Sequence, residues 1–359
     1  MAIIDKPTDY FDTLLYSGTG SSNAITGLDF QPDWVSIKKR SAAGSGNVYD
    51  SVRGALKHIS TNLTAAEETE SSGAGLTAFG SNGFTVGTEP TGNGSVNQSS
   101  QTYVGWCWKA GTSVSGTTTG AGTAKTYTGS VNTTSGFSII KYTGNGTSGH
   151  TIPHNLTQKP AMIIVKKLTG DNWTVYHDKI SSDPASDYIF LNSTAVAADY
   201  VGYWNDTEPT SSVFTVGNDG GTNANNVSLI AYCFAEKQGY SKFSSYVGNG
   251  SSSSGPFIFT GFKPAFLMIK ATDAVKSWML LDNKRNPSGL SGANTVDYRL
   301  RADTSEATSD NADGMDFLSN GFKPLNTDTS TNQSGTNYIY MAFAENPFVT
   351  STGVPATAR

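Results

Sequence analysis

Phe30-Gln-Pro-Asp-Trp-Val-Ser-Ile-Lys38 returns twice, as Gln158-Lys-Pro-Ala-Met-Ile-Ile-Val-Lys166 and as Phe262-Lys-Pro-Ala-Phe-Leu-Met-Ile-Lys270. The step from proline to final lysine is the same each time: 32 to 38, 160 to 166, 264 to 270. Upstream, Tyr16-Ser-Gly-Thr-Gly20 recurs as Tyr142-Thr-Gly-Asn-Gly146 and Tyr246-Val-Gly-Asn-Gly250. Downstream, Val48-Tyr-Asp50 matches Val175-Tyr-His177 and Leu280-Leu-Asp282. Phe79-Gly-Ser-Asn-Gly-Phe-Thr-Val-Gly87 is echoed by Phe317-Leu-Ser-Asn-Gly-Phe322 and, trimmed, by Val213-Phe-Thr-Val-Gly217. Each copy closes on an aromatic segment: Tyr103-Val-Gly-Trp-Cys-Trp108, Leu229-Ile-Ala-Tyr-Cys-Phe234 and Tyr338-Ile-Tyr-Met-Ala-Phe343. Motifs in one fixed order mark a tandem array, and a unit of about 100 residues is the size of a β-sandwich module.

The motifs themselves read as strands and turns. The repeated proline suits a strand entrance, where its missing N–H does no harm. Beyond it, Trp34, Ser36 and Lys38 face one way and Val35, Ile37 and Lys39 the other. The glycines of the Tyr-x-Gly-x-Gly segments supply turn conformations. Ser81-Asn82-Gly83 and Ser319-Asn320-Gly321 are hairpin turns. The closing segments are apolar on both faces, as a central sandwich strand would be. Thr64-Ala-Ala-Glu67 has capping-box spacing and predicts one short helix.

The expected fold is therefore all-β, three tandem β-sandwich modules of jelly-roll or lectin-like type, each with its own small core. The predicted boundaries are an amino-terminal attachment arm at 1–12, repeat one at 13–110, a Gly/Ser/Thr-rich linker at 111–135, repeat two at 136–237, repeat three at 238–348 and a tail at 349–359. The junction Glu236-Lys-Gln-Gly-Tyr240 is too short for free movement, so repeats two and three should be held rigidly together.

Composition narrows the function. Among 359 residues, 15% are charged and 11% aromatic, with 39 Gly and a net charge of −5. The aromatic content argues against disorder. No window holds the ~20 apolar residues of a spanning helix, and Met1–Asp12 lacks the features of a signal peptide. Lys+Arg at 24 against Asp+Glu at 29 leaves no basic footprint for nucleic acid.

Catalytic and metal patterns are absent. Cys107 and Cys233 occupy the same repeat position, where the third copy has Ala342, and read as buried free thiols. His150 and His154 read as loop histidines, and no metal-ligand spacing accompanies them. His177 stands where the other copies have Asp50 and Asp282, a swap that a catalytic role repeated in every copy would not tolerate. Asp310-Asn-Ala-Asp-Gly-Met-Asp316 does not fit calcium-loop spacing and reads as a solvated turn. No carboxylate pair recurs in all three copies. The expectation is a non-enzyme without metal or cofactor. The better signal is aromatic residues beside amide and carboxylate groups, as in sugar recognition. Tyr203, Trp204, Asn205, Asp206 and Trp173 are the candidate ligand-binding residues, although Trp173 precedes a repeat strand and reads first as core.

Several stretches carry a family resemblance: Asp29-Phe-Gln-Pro-Asp-Trp-Val35, Tyr49-Asp-Ser-Val-Arg-Gly54, Tyr103-Val-Gly-Trp-Cys-Trp-Lys-Ala-Gly111, Tyr203-Trp-Asn-Asp206, Tyr232-Cys-Phe-Ala-Glu236, Gly239-Tyr-Ser-Lys-Phe243 and Tyr340-Met-Ala-Phe-Ala-Glu-Asn-Pro-Phe348. Over nearly the whole chain they resemble tandem-repeat virion structural proteins of marine tailed bacteriophages, cyanophage-like podoviruses included. The resemblance implies a protein made in the host cytoplasm and placed on the virion exterior, on the tail rather than the head. It would be a tail-fibre or receptor-binding component for a host surface glycan or protein. It would join other virion proteins through the amino-terminal arm and form a homo-oligomer, expected as a trimer. The alternatives are a capsid decoration or cement protein (a head fibre) and a glycan depolymerase.

Overall fold

The structure, a computed structural model, describes residues 3–89, 94–285 and 295–355; residues 1–2 of the expected arm and 356–359 of the expected tail lie outside them. The chain is all-β, built from antiparallel sheets. Each repeat contributes one main sheet with the same strand order. The opening strand (Phe11–Ser17, Phe137–Thr143, Ser241–Val247) pairs with the closing strand (Thr102–Trp108, Ser228–Phe234, Asn337–Pro347). The closing strand pairs in turn with the proline strand (Trp34–Lys39, Met162–Lys167, Phe262–Ala271). Next comes the strand that ends at the repeat Asp/His position (Asn47–Asp50, Trp173–His177, Met279–Asp282). Pro32 and Pro160 precede their strands, whereas Pro264 lies inside its strand at a register shift, where a missing N–H is tolerated.

The closing strands are apolar on both faces because both faces are buried, against different partners. Tyr103 and Cys107, Leu229, Ala231 and Cys233, and Tyr338, Tyr340 and Ala342 face the core of their own repeat. Trp106 and Trp108, Tyr232 and Phe234, and Met341 and Phe343 face one further core that all three repeats share. The expectation of three separate small cores is thus corrected to four clusters, three peripheral and one central. The alternation on the proline strand follows the same division, with Trp34 in the central core and Val35 and Ile37 in the repeat's own.

Around that centre the repeats close into a ring. Asp171 N–H donates to the Thr64 carbonyl and Glu67 N–H to Leu168. Lys276 to Thr194 and Ala197 to Thr272 repeat that pair between repeats three and two. Gly44 to Ser305 and Thr308 to Arg40 repeat it between repeats one and three. One contact made three times in cyclic order is a pseudo-threefold arrangement.

The repeat lysines reinforce it. Lys38 donates to the Thr304 carbonyl (2.5 Å), Lys166 to Leu63 (3.5 Å) and Lys270 to Thr194 (3.1 Å), each across an interface. All three are buried, and burial pushes each ammonium down to about 8.

Several expectations change here. The segment 111–135 is no linker. Thr112–Thr117 and Thr126–Asn132 form a hairpin that extends the second main sheet, with its β-branched residues supplying strand propensity. Residues 64–67 form no helix; the Glu67 carboxylate receives a hydrogen bond from Arg53 Nη1 (3.3 Å) instead of capping. Asp310–Asp316 lies inside the strand Ser309–Leu318, paired with Thr295–Arg301, and is not a solvated turn. The described part of the arm is docked: Ile4 is buried in the central core, and its N–H donates to the Gln238 carbonyl (3.2 Å). Asp5 accepts from the Ser351 N–H (2.6 Å), so both ends of the described chain meet at one end of the ring.

Candidate functional site

The repeat-equivalent polar positions are structural. Asp50 accepts the Tyr232 hydroxyl (2.7 Å) of repeat two, and Asp282 accepts the Trp106 indole N–H (3.0 Å) of repeat one. Each aspartate also holds a fully buried arginine, Arg53 and Arg285, at 2.5 Å. The third member of the ring would pair Met341 with position 177. Methionine has no proton to donate, and His177 replaces the aspartate. Its Nδ1 accepts the Lys179 N–H (3.1 Å), so Nε2 carries the proton and donates to the Tyr340 carbonyl (3.1 Å). Ile180 stands where the arginines stand. The His-for-Asp swap is therefore a change of interface partner, made without a buried charge.

One residue set escaped the sequence reading. Asn97, Asn223 and Asn332 are buried, and each side-chain oxygen accepts the N–H of Thr19, Asn145 or Asn249 in the Tyr-x-Gly-x-Gly turn. Their amides donate to turn carbonyls, Asn97 to Ser21 (2.6 Å) among them. The signal was present: 97 to 107, 223 to 233 and 332 to 342 are the same step. The first glycine of each turn lies so close to the segment after this asparagine that a Cβ would stand 2.2–2.4 Å from the Gln98, Ala224 or Gln333 carbonyl oxygen.

The histidines are core residues as well. His150 and His154 are buried rather than solvated in loops. Burial pushes His154 down to about 4. Cys107 and Cys233 are free and buried in separate cores. Among the described residues no group of three or more His, Cys, Asp or Glu is placed to hold a metal ion.

The aromatic candidates separate. Trp173 is buried in the central core, its indole N–H donating to the Ser60 carbonyl (2.9 Å) across the interface. Trp204 is buried among Phe214 and Tyr176 in the core of repeat two. Neither presents a face to solvent, because the one-turn helix Val201–Trp204 turns its tryptophan inward. Asn205 follows it at φ 55° as the left-handed cap, and Asp206 is exposed.

Tyr203 does reach a surface site, together with its sequence neighbour Tyr200 and with Tyr188 and Phe190, which the sequence did not single out. Its ring packs edge-on to Tyr188 (4.5 Å) and Tyr200 (5.2 Å), with Phe190 at 6.0 Å. Tyr200 is 43% exposed and Val201 51%. The Tyr200 ring lies over Gly202, where a Cβ would sit 2.4 Å from it. The Tyr203 ring lies likewise over Gly221, which would place a Cβ 3.1 Å from it. The Tyr203 carbonyl accepts from Gly217 N–H (3.0 Å) and Thr222 Oγ1 (3.1 Å), which fixes the shelf to the sheet beneath. Burial, then the nearby Asp219 carboxylate, raises the Tyr188 and Tyr203 hydroxyls above their ordinary range, so they stay protonated donors. The Lys167–Asp171 pair (2.5 Å) stands beside the short Gly220–Asn223 helix capped by Asp219. Rigid aromatic faces next to carboxylates and hydroxyls can stack a C–H face and hydrogen-bond its polar rim.

Among the described residues, the other repeats carry no such shelf. Tyr188 is replaced by His58, 2.9 Å from Glu70, and by Arg299, paired with Asp328. Burial pushes His58 down and Glu70 up to about 6.

A family model described as Domain of unknown function (DUF7483) matches residues 6–347, and the chain belongs to that family. No curated protein and no solved structure matches the chain.

Proposed function

We propose that this family member is a non-enzymatic, virion-exterior protein of a tailed bacteriophage that recognises a host surface glycan through the Tyr188, Tyr200 and Tyr203 shelf. One observation carries the reading: three tyrosine rings, one of them 43% exposed, are held edge-to-face on glycine-backed backbone beside Asp219. A rigid ring loses little side-chain entropy on binding, which favours weak, repeated contacts with sugar faces. The phage assignment rests on the sequence resemblance. One shelf among the described residues makes avidity the role of an oligomer, a trimer in this reading.

The test is adsorption. Purified protein added to host cells should block phage attachment, and Tyr200→Ala should abolish the block while leaving thermal stability within about 1 °C, since the residue is exposed. Blocking by both proteins alike removes the shelf from the mechanism. The docked amino terminus favours a second reading, a capsid decoration protein that grips through broad surface contact rather than a free arm. That reading expects binding to capsids and a gain in their heat resistance, with no effect on adsorption.

A further inference from the structure

The three interfaces differ in charge at one place. Between repeats one and two, Arg53 Nη1 donates to Glu67 Oε2 (3.3 Å), Lys57 lies 3.5 Å from the same carboxylate, and the Glu67 N–H donates to the Leu168 carbonyl. Between repeats two and three the equivalent positions are Ile180, Ala197 and Thr272, with no charge. Between repeats three and one they are Arg285, Thr308 and Arg40. The backbone contact that brings Glu67 to Leu168 here brings Thr308 to Arg40, N–H to carbonyl at 2.9 Å. A carboxylate has been lost and a guanidinium gained.

The consequence is a set of orphaned buried groups. Arg285 is fully buried; its Nε and backbone N–H go to Asp282 and its Nη2 to the Leu280 carbonyl (2.8 Å), but Nη1 has no partner. Arg40 Nε and Thr308 Oγ1 are also buried and unpartnered. Arg40 has no carboxylate partner among the described residues. Its charge is disfavoured by burial first and by the neighbouring Arg285 second, and the Asp282 carboxylate, already held by Arg285, offsets part of that. Two guanidinium groups, one fully buried and one half-buried, thus share a single carboxylate, which is a costly arrangement.

We propose that Arg285 Nη1, Arg40 Nε and Thr308 Oγ1 form a binding site for a small inorganic anion, which occupies the place of the missing Glu67 carboxylate. The anion latches the first repeat to the last and so completes the ring. Water is a poorer occupant, because the two guanidinium groups leave one positive charge uncompensated and water supplies none. The sister site holds a negative charge at this position already.

The probe is halide. Thermal unfolding of the full chain is followed at constant ionic strength while potassium gluconate, a much bulkier anion, is exchanged for potassium chloride. The wild type should gain roughly 2–4 °C, saturably. Thr308→Glu supplies the carboxylate internally; it should be more stable than the wild type in gluconate and should lose the chloride response. Arg40→Leu, which copies Leu168, should lose the response as well. Bromide in wild-type crystals should give an anomalous peak beside Arg285 Nη1, a readout that needs no variant to fold. No saturable gain in the wild type, an unchanged response in either variant, or no bromide peak overturns the proposal.

Discussion

His177 offers the sharpest test of how the ring is held. Its imidazole is buried, accepts a hydrogen bond at Nδ1 and donates one at Nε2, so only the neutral form fits. Burial pushes it from 6.5 down to about 4. In the unfolded chain the ring titrates at its ordinary value, so between pH 6.5 and 4 the unfolded state binds the extra proton. Stability is therefore present above 6.5 and is lost as the pH falls toward 4. A shift of about 2.5 units at 1.36 kcal/mol each corresponds to roughly 3 kcal/mol. Buried carboxyls with raised values, Glu70 among them, act in the opposite sense, so the total acid profile is not diagnostic. The variant His177→Gln isolates the effect, since its amide keeps a donor and an acceptor but does not titrate. Urea unfolding of both proteins at pH 7, 5.5 and 4 should show the wild type losing about 3 kcal/mol more than the variant. Parallel pH profiles would refute the tautomer and burial argument.

Other outcomes follow from the same geometry. Lys38, Lys166 and Lys270 are lowered to about 8 from 10.5, so the unfolded chain holds more protons above pH 8. The denaturation midpoint should rise from pH 8 to 10, before tyrosine ionisation reverses it, and a flat profile refutes the burial of these ammonium groups. Asn223→Ala strips the side-chain hydrogen bonds to Asn145, Gly146, Thr147 and Gly217 and should cost roughly 2–4 kcal/mol by chemical denaturation. Tyr232→Phe removes the hydroxyl bond to the charged Asp50 and should cost roughly 1.5–3 kcal/mol in the same assay. Tyr203→Ala should abolish adsorption blocking as Tyr200→Ala does, measured on the same cells.

Much of the fold was legible because its signals are local. The Ser-Asn-Gly turns at 81–83 and 319–321 join the strands expected of them, and the alternation after Pro32 divides two faces correctly. The shared core was not legible, because a strand apolar on both faces looks the same in the middle of a sandwich as between two cores. What distinguishes Trp106 from Cys107 is which repeat lies opposite, a long-range fact. Residues 111–135 misled through composition: small polar residues are flexible alone, but Thr and Val pair well once a sheet edge is offered. Trp204 misled through its neighbours, since Asn205 and Asp206 mark a surface turn and the indole lies beneath it. At the site, Tyr203 and its neighbour Tyr200 were legible from sequence; Tyr188 comes beside them only through strand pairing.

The contacts between the first and last repeats also constrain how the protein is made. Gly44 and Arg40 bond to residues 305 and 308, so the ring cannot close until the third repeat has been synthesised. Until then Trp106, Trp108, Tyr232 and Phe234 present an uncovered apolar wall. A nascent chain in this state has high contact order and an exposed sticky face, which favours slow maturation and association with neighbouring chains. Expression yield should therefore respond to temperature and chaperone supply more strongly than the stability of the finished protein suggests.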